Sequence, residues 1–170
     1  MVKKLILATT ILLALTATVY AKGKPLVQMS VASYQQIIVK NKQGHIKKDK
    51  HGKPIKKWVK AKKVIPGHIV KYIDTITNDS NATLKNADIN NPINKNLLFI
   101  SGSVKSAAHV SVKYSVNGGK SFDVPDKLMV RGKDKKMHRA KEKDYNAIAF
   151  TIEEVPANSK VKVSYKVKLK

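Results

Sequence analysis

The amino-acid sequence predicts an all-β protein, an immunoglobulin-like antiparallel β-sandwich of about seven to nine strands. Three observations support this class. β-branched and aromatic residues alternate with polar ones over short segments, most clearly in 160–169. Turn-forming residues separate these segments along the chain. No segment of about ten residues beyond the N-terminal apolar run keeps the spacing of a helix.

The predicted strands follow one another at short intervals. Alternation or apolar content predicts strands in 29–39, 68–77, 84–89, 97–100, 109–116, 147–152 and 160–169. Turn residues predict turns at 41–44, 66–67, 78–81, 90–92, 117–119 and 155–159. The stretch 140–145 is expected to form no more than one helical turn.

Several residues have predicted structural roles. The pair Gly118-Gly119 follows Asn117 between two strand-like segments, which predicts a hairpin whose turn positions need positive φ. The full set of predicted structural residues is Pro66, Gly67, Tyr72, Asn78, Asn117, Gly118, Gly119 and Tyr145.

Residues 1–21 have the pattern of a secretory signal peptide. A basic start precedes an apolar run over 5–19, which is shorter than the roughly 20 residues of a membrane span. We expect cleavage after Ala21, leaving 22–170 as one sandwich domain without a transmembrane span. The predicted location is the periplasm or the cell exterior. Cysteine is absent, which excludes thiol catalysis, thiolate metal sites and disulfides.

Positive charge is distributed unevenly along the chain, whose formal net charge is +23. Residues 22–63 carry a net charge of +12, residues 64–130 only +2, and residues 131–170 carry +7. Arginine occurs only at Arg131 and Arg139. Because lysine is a hydrated point charge without the planar fork of arginine, the excess favours general attraction to polyanions over sequence reading. Simple solubility is an equally good explanation.

The strongest candidate site is a lysine-rich excursion at 46–63, which we expect to be mobile and to return into a strand. Trp58 lies inside it, either as an interfacial anchor or, as we favour, as a core residue of the returning strand. The candidate anion-binding residues are Lys47, Lys48, Lys50, Lys53, Lys56, Lys57, Lys60, Lys62 and Lys63. Near an anionic surface each lysine contributes about 1 kcal/mol, which is lost as salt rises.

Two further groups of basic residues have competing interpretations. The last strand presents a lysine face, which either binds an anion or, more simply, prevents edge-to-edge strand pairing. A second cluster is expected to form a neighbouring patch if the loops meet; it comprises Arg131, Lys133, Lys135, Lys136, Arg139, Lys141 and Lys143. Few arginines and no set of base-stacking aromatic residues argue against sequence-specific nucleic-acid binding.

The sequence gives little support to catalysis, and we expect no enzyme, cofactor or metal. The five histidines have no ligand spacing, and no serine lies in a nucleophile motif. Asp74 is unusual because it falls on the apolar face of its predicted strand. It marks either a small polar site or, as we favour, a bulge or rim position that reaches solvent.

A family resemblance rests on five segments: 64–78 (VIPGHIVKYIDTITN), 98–103 (LFISGS), 114–122 (YSVNGGKSF), 144–150 (DYNAIAF) and the final alternating strand at 160–169. In this order they resemble the conserved-repeat domain of bacterial surface proteins, also called domain of unknown function eleven. The resemblance covers 27–170 and implies an immunoglobulin-like sandwich in an exported or surface protein, with no catalytic residues to carry over. Two departures are the single copy and the longer, more basic excursion.

The sequence therefore leads to two hypotheses of function. The first is an exported, non-enzymatic structural or protein-interaction module of the bacterial cell envelope, with an envelope protein as partner. The second is a binder of anionic envelope polymers or small anions through the lysine-rich excursion.

Overall fold

The computed structural model describes Tyr20, Ala21 and residues 24–170, which form thirteen β-strands and two single-turn 3-10 helices. The strands are β1 (Tyr20–Ala21), β2 (Lys24–Pro25), β3 (Val27–Ile38), β4 (Lys56–Lys60), β5 (Ile69–Asn78), β6 (Leu84–Pro92), β7 (Leu97–Phe99), β8 (Lys105–Ser106), β9 (Val110–Ser115), β10 (Met129–Arg131), β11 (Met137–Arg139), β12 (Ala147–Val155) and β13 (Ser159–Leu169). The helices span Pro125–Lys127 and Glu142–Asp144. Neither is long and apolar enough to cross a membrane.

The predicted signal peptide falls on residues 1–21, nearly all of which lie outside the described residues. Its last two residues form β1, which pairs with β2. Cleavage and export therefore remain predictions.

Two antiparallel sheets form the body of the molecule. The larger sheet has the strand order β4-β3-β5-β13-β7, and β8 also pairs with β13. The smaller sheet has the order β6-β12-β9. Two separate hairpins, β1–β2 and β10–β11, lie outside these sheets.

The core lies between the two sheets and contains side chains from both. Phe150 at the centre of the small sheet packs against Tyr165 of the large sheet, with their ring centroids 5.5 Å apart. Neighbouring residues such as Ile148, Ile152 and Val163 are fully buried. The predicted all-β antiparallel sandwich is confirmed.

The position of β13 corrects the interpretation of its lysines. β13 pairs with β5 on one side and with β7 and β8 on the other, so it is a central strand. Edge protection therefore does not explain its lysine face, because its main-chain groups are already paired on both sides.

The predicted turn at 90–92 is wrong. These residues belong to β6, where Ile89 and Asn91 are buried and alternate with exposed neighbours. β6 is an edge strand of the small sheet, where a terminal proline such as Pro92 is tolerated. The chain turns slightly later, where the side chain of Asn94 accepts a hydrogen bond from the N–H of Asn96 at 2.9 Å.

The predicted glycine turns occupy conformations that suit glycine. Gly67 follows the exposed Pro66, has φ +87°, and donates its N–H to the carbonyl of Leu169 at 2.7 Å. Gly118 has φ +78° and Gly119 has φ +83°. Left-handed φ favours glycine because it lacks a Cβ.

The segment after the predicted hairpin turn at Asn117 does not form a full second strand. Only one bridge, between Tyr114 and Asp123, closes it, and β9 pairs mainly with β12. The loop is held instead by the hydroxyl of Ser115, which accepts hydrogen bonds from the N–H groups of Asn117 at 3.2 Å and Gly119 at 3.0 Å.

Both predicted structural tyrosines, Tyr72 and Tyr145, are buried and belong to stacked pairs. Tyr72 on β5 stacks on Tyr165 of β13 with ring centroids 5.3 Å apart. Tyr145 stacks on Tyr114 at 4.5 Å. Offset stacking of this kind adds to the free energy gained by burial of the rings.

Asn78 joins the end of β5 to the turn between β12 and β13. Its side chain is fully buried and donates to the carbonyls of Ala82 at 2.8 Å, Val155 at 3.0 Å and Pro156 at 3.1 Å. Its Oδ1 accepts from the hydroxyl of Ser80 at 2.6 Å. One amide thus holds together two loops at the same end of the sandwich.

We predict that Asn78→Ala lowers the free energy of unfolding by about 2–3 kcal/mol, because it leaves the carbonyl of Val155 buried without its side-chain donor. Urea denaturation monitored by circular dichroism measures this loss. Asn81→Ala is the matched control, since Asn81 is exposed, and its effect should stay within about 0.5 kcal/mol. Equal effects of the two substitutions would contradict the prediction.

Candidate anion-binding surface

The outer face of the large sheet is defined by strand register. Residues that pair across antiparallel strands point to the same face. Tyr34 pairs with both Lys60 and Lys71, and Lys71 pairs with Lys166. These four side chains therefore share the face opposite to the core, which we call the outer face.

Eight lysines point outward from this sheet, and none of them forms an ion pair with another described residue. They are Lys56 and Lys60 on β4, Lys71 on β5, Lys105 on β8, and Lys160, Lys162, Lys166 and Lys168 on β13. The only acidic residue on the six strands is Asp74, which points inward and is buried. The outer face is therefore positive without local compensation.

The small sheet has a different balance of charge. Lys85 lies 3.9 Å from Glu154, and the Nδ1 of His109, which immediately precedes β9, lies 3.2 Å from Glu153. β6, β9 and β12 together carry two lysines and three acidic residues. Positive charge is thus concentrated on one side of the sandwich.

Trp58 lies on the outer face and not in the core, so the favoured interpretation of this residue is wrong. It pairs with Gln36 across β4 and β3, and its side chain is half-buried. The ammonium of Lys71 lies 4.8 Å from the Trp58 ring centroid, and that of Lys166 lies 5.8 Å away. Such distances are those of cation–π contacts.

Tyr34 completes this arrangement. The ammonium of Lys71 lies 5.7 Å from the Tyr34 ring centroid, so it is shared between Tyr34 and Trp58. We call Tyr34, Trp58, Lys71 and Lys166 the Trp58 cluster. The sequence alone does not reveal this aromatic pair, because the two rings are 24 residues apart in the chain and only strand pairing brings them together.

A shallow groove adjoins the Trp58 cluster at the same end of the sheet. Its volume is about 470 Å³, and its lining includes Gln36, Ile38, Lys56, His68 and Ile69. Gln36 is also the cross-strand partner of Trp58. The groove therefore combines apolar walls with one amide, one histidine and two lysines, Lys40 and Lys56.

The nine candidate lysines of the excursion separate into four groups, and all are exposed. Lys56 and Lys60 join the outer face, whereas Lys57 points to the opposite face of β4. The loop before β4 carries Lys47, Lys48, Lys50 and Lys53, and the loop after it carries Lys62 and Lys63. Of the nine predicted lysines, the sheet therefore places only Lys56 and Lys60 on the same face as the β13 lysines.

The predicted turn at 41–44 and the first part of the excursion form two similar loops, which we call the twin loops, at 41–45 and 49–53. In each loop the first side chain accepts hydrogen bonds from the N–H groups two and four residues later. These bonds join Asn41 to Gln43 at 3.1 Å and His45 at 2.9 Å, and Asp49 to His51 at 2.8 Å and Lys53 at 3.0 Å. This use of an Asn or Asp side chain is typical of a tight turn.

Three residues spaced by eight positions close the twin loops against each other. Val39 donates to the carbonyl of Ile55 at 2.8 Å, Ile55 to that of Lys47 at 2.8 Å, and Lys47 to that of Val39 at 2.9 Å. The sequence analysis missed this repeat. The repeat is weakly visible in the sequence when KNKQGHI at 40–46 is aligned with KDKHGKP at 48–54.

The second basic cluster lies on the β10–β11 hairpin and the residues after it, in a separate sheet. Part of its charge is compensated. Arg139 lies 2.9 Å from the carboxylate of Asp126, and His138 lies 2.8 Å from that of Asp134. The His138 contact also lowers the pKa of Asp134. This cluster is therefore a weaker candidate than the outer face.

Asp74 is buried between the two sheets, so the favoured interpretation of a rim or bulge position is wrong. Its exposed fraction is 0%, and it pairs regularly with Val163 of β13. Asn91 on β6 donates its side-chain N–H to the Asp74 carboxyl at 2.7 Å. The Oδ1 atoms of Asp74 and Asn91 have no further hydrogen-bond partner among the described residues.

This environment changes the acidity of the buried groups. Burial raises the pKa of Asp74 from 3.8 to about 6, and the Asn91 hydrogen bond only partly opposes this rise. Burial also raises the pKa of Tyr165 well above its ordinary value, and the nearby Asp74 charge adds to the rise. Because the carboxyl is sealed from solvent, it is a poor candidate for catalysis.

No group of three histidine or acidic side chains within the described residues is arranged to hold a metal ion. Comparison of the chain with protein-family models, with curated proteins and with solved structures gave no match. The resemblance to the conserved-repeat domain of surface proteins thus remains a prediction from the quoted segments.

We predict that Asp74→Asn stabilises the protein at neutral pH and has little effect near pH 4. Between pH 3.8 and about 6 the unfolded chain loses the Asp74 proton while the folded protein keeps it, so the free energy of unfolding falls as pH rises. Above pH 6 the free energy of unfolding of the wild type is lower by about 3 kcal/mol than it is near pH 4. Asparagine does not ionise, so the variant does not lose this stability.

The measurement is the melting temperature of both proteins from pH 4 to pH 8. The difference in melting temperature between Asp74→Asn and wild type should increase up to about pH 6 and then level off. Asp79→Asn, which alters an exposed carboxylate one residue beyond β5, is the control and should give a small difference at every pH. A wild-type advantage at pH 8 would overturn the prediction.

Proposed function

We propose that this protein binds anionic polymers of the cell envelope through the outer face, and that it does so without catalysing a reaction. The observation that carries the proposal is the set of eight outward lysines on four strands of a six-stranded sheet that presents no acidic residue to the same side. Such a surface attracts polyanions and is not neutralised by its own neighbours.

The arrangement of the lysines favours an extended ligand over a small anion. Alternate residues of a strand lie about 6.7 Å apart on one face, so Lys160, Lys162, Lys166 and Lys168 form a row of charges along β13. A small anion needs several donors converging on one point, whereas a polymer with repeated charges meets such a row one contact at a time. An envelope polymer of repeating phosphates has this form.

The alternative hypothesis is a structural or protein-interaction module of the envelope. Protein interfaces are depleted of charged residues, and of lysine in particular, at their centres. The outer face has lysines at its centre, on β5 and β13, which favours a polyanion over an ordinary protein surface. Export to the periplasm or the cell exterior, on which both hypotheses depend, is proposed from residues 1–21.

The test is binding of the purified mature chain to poly(glycerol phosphate) and to polyphosphate across a salt series. We predict that the triple variant Lys60→Gln, Lys162→Gln and Lys168→Gln weakens binding to both polymers. Each lost phosphate contact lowers the slope of log affinity against log salt by about 0.7, so three lost contacts lower it by about 2.

The control is a charge-matched triple variant, Lys95→Gln, Lys113→Gln and Lys127→Gln, whose exposed lysines lie off the outer face. It lowers the net charge equally, and its binding should stay close to that of wild type. Equal losses in the two variants would mean that binding follows net charge alone, and the proposal would fail.

A further inference from the structure

We propose that the Trp58 cluster is a stacking site, and that the outer face, besides attracting envelope polyanions, binds single-stranded nucleic acid there without regard to sequence. This inference rests on the proposed function, since the same lysines would hold the phosphates. It adds a role for the two aromatic rings, which charge attraction alone leaves unused.

The first argument is the placement of rings beside cations. Lys71 and Lys166 lie over the Trp58 ring, and Lys71 is also close to Tyr34. A phosphate attracts an ammonium group more strongly than a ring face does, because the phosphate carries a full charge. When a phosphate binds these lysines, the ammonium groups move away from the rings and leave the ring faces open.

The second argument is space beside the ring. The groove of about 470 Å³ next to the cluster falls within the range of small-ligand sites, which is roughly 300–1,000 Å³. Ile38 and Ile69 give it apolar walls, and the amide of Gln36 can donate to or accept from the edge of a base. Because Gln36 is the cross-strand partner of Trp58, a base stacked on Trp58 lies beside this groove and can direct its edge toward the Gln36 amide.

The third argument is the kind of strand that fits. Bases in a duplex are stacked inside it and cannot reach a flat protein surface, whereas a single strand exposes them. Aromatic rings accept every base, so stacking carries little sequence preference. The outer face supplies lysines and no arginine, which agrees with phosphate attraction and not with bidentate reading of bases. A polymer without rings would draw Lys71 and Lys166 away from Trp58 and put nothing on the ring face in their place.

The experiment compares two strands that differ only in their bases. The wild-type mature chain is titrated with a labelled oligothymidylate and with an abasic deoxyribose-phosphate strand of equal length and equal charge. Trp58 is the only tryptophan, so its fluorescence reports directly on this site. Stacking should quench it with the oligothymidylate and much less with the abasic strand.

The variants Trp58→Leu and Trp58→Phe separate ring stacking from apolar bulk. We expect Trp58→Leu to weaken oligothymidylate binding roughly tenfold while leaving abasic-strand binding within about twofold. Trp58→Phe, which keeps a ring, should retain most of the affinity. Thermal melting of both variants checks that the fold is intact.

The outcomes distinguish this inference from the proposed function. If both strands bind wild type equally, or if Trp58→Leu weakens both equally, the stacking site is overturned while polyanion binding stands. An anionic polysaccharide that binds as tightly as the oligothymidylate, with the same dependence on Trp58, would also overturn it. If neither strand nor polyphosphate binds, the proposed function fails as well.

Discussion

Ten consecutive residue pairs join β5 to β13 in the middle of the large sheet, and the two faces of that sheet follow from them. Each strand alternates with a period of two, so Val163, Tyr165 and Val167 face the core while lysines face outward. A slip of one residue would bring the lysines of β13 into the core. The burial of unpaired ammonium groups is costly enough to make this register strongly preferred. The same constraint that builds the core also builds the charged surface.

The strands and their faces could be predicted where this alternation is long, and less well where it is short. β13 and β5 were predicted nearly to their ends. β4 has only five residues, and in it Trp58 and Val59 are adjacent, so one of the two must point outward. The sequence does not say which one does. We favoured the larger ring as the core residue, but Val59 shares the inward face with Gln35 and Val70.

Other errors came from long-range pairing, which a local pattern does not contain. The lysines of the last strand looked like edge protection because nothing in 160–169 reveals two neighbours. The residue type of Asn91 favours a turn, and a turn at 90–92 would leave Asp74 without a partner on the other sheet. Burial of an aspartate without a partner is unfavourable. The two mistakes concern the two halves of one hydrogen bond between the sheets. The bond partly offsets the cost of burying the carboxyl, because it satisfies one of the two carboxyl oxygens.

The twin loops have a consequence for how this protein can vary. The first and last residues of each eight-residue unit lie close enough for their main chains to form a hydrogen bond. The bonds among Val39, Lys47 and Ile55 demonstrate this. A duplication or deletion of one whole unit would therefore leave β3 and β4 paired as before, whereas a change of a few residues would shift their register. Lengthening such a loop costs little chain entropy. Each added unit of this composition would bring further lysines, so natural length variants in steps of eight would differ in positive charge while keeping the same sandwich.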